Sequence, residues 1–303
     1  MVVVVLSALV LGLLVPATGV AAEVARTART AAIMLLFFLY GGRMATKEVW
    51  DGLRNVRLQG RMLAATYVVF PLLGLLVQLV PGLEPEAKHG LLFLCLLPST
   101  VQASVVFTSV ARGNVAGALT GATISNLVGI VLTPLLVGLL LVHTGGTADA
   151  TDIVVQLLLP FAVGQLVQPW IGPWLRGHPH VTRTTDRSAI ALVAYVSVSE
   201  ATSSGAWDHV TVGALVALAG VSALLLAAML AITWAGGRGM VVGDRIALLM
   251  VGSKKSLATG LPMAAVLFTP AVAASVTLPV IVFHQLQLAT CAVLARRLAA
   301  RVE

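Results

Sequence analysis

Lys254 and Lys255 stand side by side near the middle of an apolar run, 245–267, whose hydropathy predicts a helix inside a lipid bilayer. An ionisable group at the bilayer centre costs roughly 2.5–3.5 kcal/mol on insertion scales, so two in succession require a protein-lined or watery environment. They belong to Val251-Gly252-Ser253-Lys254-Lys255-Ser256, followed by Thr259, a stretch that favours a broken helix over a continuous one. A second stretch of this kind, Leu97-Pro98-Ser99-Thr100-Val101-Gln102, interrupts the apolar run 89–111. Counted from His89 to Pro98 and from Arg245 to Lys254, both interruptions lie ~13 Å into the membrane at a helical rise of ~1.5 Å per residue. A broken helix exposes N–H groups and partial positive charge at its new N-terminus, and carbonyls with partial negative charge at the old C-terminus. The first suits anions and the second cations. Interrupted spans at matching depths are the pattern of a transporter's binding site. The bland alternative, a kink at Pro98 and a short loop at the lysines, leaves the matched depths to coincidence.

Two other runs carry polar candidates. In 274–295, Phe283-His284-Gln285-Leu286-Gln287 sets His284 and Gln285 in an otherwise apolar helix, either as cavity lining or as buried interhelical hydrogen bonders. Beginning at Gly113, small residues recur at intervals of four through Gly117, Gly121, Ser125 and Gly129, a ridge that lets helices approach closely. Asn126 beside it is open to a packing or a lining role. Glu200, in 188–206, either binds a cation or reaches the outer interface, and the second is expected.

The elements that must position these residues are membrane spans. Hydrophobic residues make up 58% of the chain and charged residues 10%, against about a quarter charged in soluble proteins, so a water-exposed surface cannot be built. Apolar runs separated by charged or Gly/Pro-rich breaks give about ten spans, near 2–16, 28–42, 61–80, 89–111, 115–142, 152–171, 188–206, 211–236, 245–267 and 274–295. The first is read as a short span rather than a cleaved leader, because no Lys or Arg precedes its apolar stretch. With both termini cytoplasmic, the inner loops and tail hold Arg43, Lys47, Arg54, Arg57, Arg61, Arg112, Arg176, Arg183, Arg187, Arg238, Arg245, Arg296, Arg297 and Arg301, and the outer loops only Arg26, Arg29 and Lys88. That asymmetry supports an even number of spans with both ends inside and explains the net charge of +7 without nucleic acid. Cys95 and Cys291, far apart in apolar runs, read as small buried hydrophobes.

Several stretches resemble a known family. Ala111-Arg112-Gly113-Asn114-Val115-Ala116 and Thr133-Pro134-Leu135-Leu136 are similar to the bile acid:sodium symporter superfamily. FFLYGGRM from Phe37, LLFLCLLPSTVQASVVFTSVARGNVAGAL from Leu91, DRIALLMVGSKKSLATGLPMA from Asp244 and FHQLQL from Phe283 resemble its SBF-like branch, over nearly the whole chain. The resemblance implies an all-α polytopic fold of the bile acid symporter/sodium-proton antiporter type: about ten helices in an inverted repeat of five plus five, the fourth and ninth discontinuous and crossing at their unwound centres. Residues 1–303 would form one transporter unit, with a panel domain at about 1–42 and 152–206 and a core domain at about 61–142 and 211–295. Sodium-coupled relatives hold Na⁺ behind the crossing with Ser-Asn on the fourth helix, Ser and Thr on the fifth, and Glu and Gln on the ninth. Here Ser104 and Val105, Ala118 and Ala122, and Ser253 and Leu257 stand at those positions, so the resemblance implies an incomplete Na⁺ set of Ser104 and Ser253, with a lysine ammonium able to supply the missing charge. His284-Gln285 matches a His-Asn pair near the substrate cavity.

The expectation is a secondary active transporter of an organic anion, working by alternating access in a plasma (inner) membrane with both termini cytoplasmic. Ser99, Thr100, Gln102, Ser104, Ser256, Thr259, His284 and Gln285 would supply hydrogen bonds, and Lys254 and Lys255 would neutralise the anion or occupy the former ion site. Na⁺ and H⁺ are the candidate coupling ions, H⁺ because burial penalises an ammonium relative to the neutral amine, and no other cofactor is expected. No HExxH, GxSxG or paired intramembrane carboxylates are present, so no enzyme is expected. The alternative is a non-transporting membrane regulator or scaffold that keeps the fold.

Overall fold

The computed structural model describes residues 2–43, 55–141, 150–203, 205 and 211–300; Lys47, Arg54, Asp149, Asp208 and Arg301 lie outside them. Among the described residues every regular element is helical. In chain order these are α1 (Val2–Leu14), α2 (Gly19–Arg43), α3 (Val56–Val77), α4 (Pro85–Leu96), α5 (Val101–Val110), α6 (Val115–Leu140), α7 (Thr151–Gly177), α8 (Pro179–Ser203), α9 (Val212–Gly236), α10 (Val242–Gly252), α11 (Leu257–Leu267) and α12 (Pro270–Ala299). Five of them, α3, α6, α7, α9 and α12, are long and apolar enough to cross a membrane, and α4 with α5 makes a sixth such span bent by 68°. The chain is thus an all-helical protein with five or six helices of membrane-spanning length and composition. Arg26 and Arg29 correct the sequence reading: they lie inside α2, which begins at Gly19, rather than in a loop before it. The helix tolerates them because Glu200 of α8 pairs with both, and Arg26 Nε also reaches the Ala22 carbonyl.

The chain divides into two compact units. The first comprises 1–46, 137–210 and 261–277. Within it α2 and α8 are joined by a bidentate Arg43–Asp186 pair (2.8 and 2.8 Å) and by Arg29–Glu200. Position 29 pairs with 200 and position 43 with 186, so both helices advance equally between the pairs and run antiparallel. α2 meets α7 through glycine: a Cβ at Gly164 would run into the Phe38 carbonyl oxygen, and one at Gly41 into that of Phe161. Close approach of this kind lets van der Waals packing replace the hydrophobic drive that lipid does not supply.

The second unit comprises 47–136, 211–260 and 278–303. Leu58 and Met62 of α3, Ala118 and Ala122 of α6, and Ala247, Leu248 and Val251 of α10 form one buried cluster. Ile246, Leu249 and Met250 of α10 join Cys291, Ala295 and Leu298 of α12 in another. The small-residue ridge of α6 is used for packing: a Cβ at Gly117 would lie 2.8 Å from Leu58, and one at Gly129 2.9 Å from Pro98. The turn into α6 places Arg112 at φ 59°, and Asn114 caps the helix by accepting from Gly117 N at 2.8 Å. Asn114 also ties this turn to the start of α10, donating to Asp244 Oδ1 (2.6 Å) and, through its backbone N–H, to the Gly243 carbonyl (2.9 Å). Cys95 and Cys291 are free and buried.

Candidate functional site

Both stretches singled out in the sequence are real breaks, and they meet. α4 stops at Leu96, Leu97 and Thr100 are extended, and α5 restarts at Val101. α10 stops at Gly252 and α11 restarts at Leu257. Pro98 lacks an N–H and disfavours helix in the residue before it. The breaks are joined backbone to backbone, Ser256 N donating to Pro98 O at 2.9 Å.

Buried carbonyls freed at a helix end must find donors. At the end of α10, Ser99 Oγ donates to Val251 O (2.6 Å), Ser104 Oγ to Met250 O (3.0 Å), Ser253 Oγ to Leu249 O (2.6 Å) and Lys254 Nζ to Met250 O (2.7 Å). At the end of α4, Thr133 Oγ1 donates to Leu96 O (2.9 Å), Asn126 Nδ2 to Ser99 O (2.7 Å), and Lys255 Nζ to both Cys95 O (2.8 Å) and Leu97 O (2.6 Å). A cation at a helix C-terminus also matches the negative end of the helix dipole.

Lys255 Nζ has a third acceptor, Thr66 O of α3, at 2.9 Å. The sequence accounts for it. A π-turn over Ala65–Val69 sends Phe70 N to Ala65 O, and the next residue, Pro71, has no N–H to offer Thr66. Phe70 lies under the ammonium, its ring centroid 4.2 Å from Nζ. Gln287 of α12 clamps the same residue by its backbone, accepting from Lys255 N (2.9 Å) and donating to Lys255 O (2.8 Å), and its amide nitrogen also meets His284 Nδ1 at 2.8 Å.

Lys254 and Lys255 are 0% and 1% exposed, and among the described residues no carboxylate pairs with either. Their settings differ. Lys254 reaches one oxygen, that of Met250 in the last turn of α10, with Met250 Sδ at 3.3 Å and the Phe107 ring 5.3 Å away.

The donor ends are treated unequally. Ser256 caps α11, accepting from Thr259 N at 3.2 Å. Among the described residues α5 has no side-chain cap: Thr100 makes no cap hydrogen bond, and Gln102 in its first turn is exposed.

Of the residues expected from sequence, Ser99, Ser104, Asn126, Ser253, Lys254, Lys255 and Ser256 come together at the junction, and His284 reaches it through Gln287. Thr259 Oγ1 and Gln285 Nε2 are buried with no hydrogen-bond partner among the described residues. Thr66, Ser125, Thr133 and Gln287 were not among the residues expected at the site. Ser125 Oγ accepts from Ser99 N at 3.0 Å. Helical spacing could have exposed Gln287, since residues three apart share a face with His284 and residues one apart do not. Glu200, expected at the interface, is held by arginines of α2.

Comparison with known proteins assigns the chain as a whole. Residues 1–300 match the SBF-like CPA transporter family. An uncharacterised protein of Pseudomonas aeruginosa, PA2026, is 43% identical over 304 residues, covering 98% of this chain and 91% of the relative. A protein of Escherichia coli K12 that carries the name symporter YfeH is 43% identical over 275 residues, covering 88% and 83%. Sodium/bile acid cotransporter 7 of Rattus norvegicus is 25% identical over 268 residues, covering 85% and 78%.

Proposed function

Because the chain belongs to the SBF-like CPA transporter family, we propose that it is a secondary active transporter of a small organic anion, bound where the two breaks meet and moved by alternating access. The proposal takes the fold as an inverted repeat of about ten spans in a plasma membrane, both termini cytoplasmic, with panel and core domains.

One observation carries the choice of an anion. The last-turn carbonyls of α4 and α10 are filled by the protein's own donors, while the N-terminus of α5 has no side-chain cap. What remains on offer is donors and positive charge, which favour an anion. Lys254, held by one carbonyl and one sulfur of Met250, is the less firmly held ammonium and the one assigned to the solute.

Sodium has no part in the proposed cycle. Val105, Ala118 and Ala122 bring no side-chain oxygen, which leaves only the hydroxyls of Ser104 and Ser253 at the positions the resemblance marks for sodium. Two hydroxyls do not make a sodium site. The positive charge that sodium would supply is already carried by the lysines.

Counterflow into proteoliposomes tests this. A set of labelled organic anions, including a bile acid because of the relatives' names, is offered in Na⁺ and in choline media. Saturable exchange of at least one anion, equal in both media, is expected. Exchange that requires Na⁺ would contradict the cycle, and exchange of no anion would favour the regulator or scaffold.

A further inference from the structure

Lys255 is held more elaborately than any solute-binding role requires. Its ammonium meets three backbone carbonyls from two segments, Thr66 of α3 and Cys95 and Leu97 at the end of α4, at 2.6–2.9 Å, above the face of Phe70. Three acceptors match the three N–H groups of an ammonium, whereas a neutral amine would turn its lone pair towards one of them. Oxygens and an aromatic face around a desolvated point are the surroundings in which proteins bind free cations. The cage is not improvised by the lysine. Thr66 O is released by the π-turn and Pro71, and the carbonyls of Cys95 and Leu97 are freed by the break at Pro98. The acceptors are therefore set by backbone features that do not involve Lys255.

We infer that these carbonyls and Phe70 form a site for a primary ammonium cation, that Lys255 is its tethered resident, and that the site takes a free alkylammonium when the side chain is cut back. Lys255→Ala removes three methylene groups and the ammonium, a fragment with the composition of n-propylammonium. The inference goes beyond the transport proposal, since thermal stability reads it without any transported solute.

The purified full-length protein is heated in detergent with n-propylammonium, or with choline as a cation of equal charge that has no N–H, at up to about 50 mM. Lys255→Ala is expected to melt well below the wild type. Propylammonium should restore about half or more of the loss by binding the folded form, with no change in the wild type and none with choline. Equal response to both cations, an equal response of the wild type, or no response to propylammonium would overturn the inference. Should Lys255→Ala not fold, Lys255→Gln, whose amide keeps two donors but no charge, is read in the same way with ammonium ion. Rescue without anion exchange would leave the cage standing and remove the transport proposal; exchange without rescue would do the reverse.

Discussion

Lys255→Met is expected to destabilise the protein more than any other side-chain replacement at the junction. Methionine fills nearly the same volume, so packing survives while three donor bonds to buried carbonyls are lost. Polar contacts within membrane proteins average ~0.6 kcal/mol and reach ~1.7, and bonds to charged groups in proteins reach ~1.5–3 kcal/mol. Three of them amount to ~2–5 kcal/mol, against a total stability of ~5–15 kcal/mol for a typical domain. At about 2–4 °C per kcal/mol for chains of this order of size, the melting temperature should fall by ~5–15 °C. Lys254→Met removes one donor bond to oxygen and should lower it far less, while weakening anion exchange more than stability. Thermal melts and counterflow on both variants separate the two. If Lys254 proved the more stabilising lysine, the roles assigned to them would be reversed.

Gly164→Val, or Gly41→Val on the facing helix, is the second large effect. The added Cβ meets the backbone of the neighbouring helix, the Phe38 or Phe161 carbonyl oxygen respectively, and no rotamer can relieve a clash with main chain. α2 and α7 must separate, and overpacking typically costs ~1–3 kcal/mol even where side chains can yield. Gly220→Ala in α9 is the matched control: nothing lies within 4 Å of its Cβ, and replacing glycine by alanine in a helix is worth up to ~1 kcal/mol in the stabilising direction. A Gly164 variant that melts with the Gly220 variant would exclude close contact between α2 and α7.

The breaks were legible because polar residues cluster at them: Pro98 is followed by Ser99 and Thr100 in one apolar run, and Gly252 by Ser, Lys, Lys and Ser in another, and backbone freed at that depth must be satisfied by protein or a cavity. The glycine ridge of α6 was equally visible as a packing face. What the lysines hold on to was not. Lys254 and Lys255 are adjacent and chemically identical, and what separates them is a π-turn in α3, far away in sequence, that frees the Thr66 carbonyl. Gln287 was passed over for Gln285 although it lies on the face shared with His284. Gly41 and Gly164 carry no polar signal, and their importance is visible only once the carbonyls opposite them are in place. Arg26 and Arg29 were set in a loop because their partner, Glu200, comes from a helix late in the chain.

Where the solute binds can be read from Gln102. It is exposed in the uncapped first turn of α5, and the native cysteines are buried, so Gln102→Cys gives a thiol with little background. Its rate of labelling by a charged thiol reagent is measured with and without the anion identified by counterflow, alongside Arg238→Cys in the turn between α9 and α10, which is exposed. Protection at Gln102→Cys and none at Arg238→Cys is expected. Unchanged labelling at Gln102→Cys under saturating anion would place the solute away from the meeting of the two broken helices.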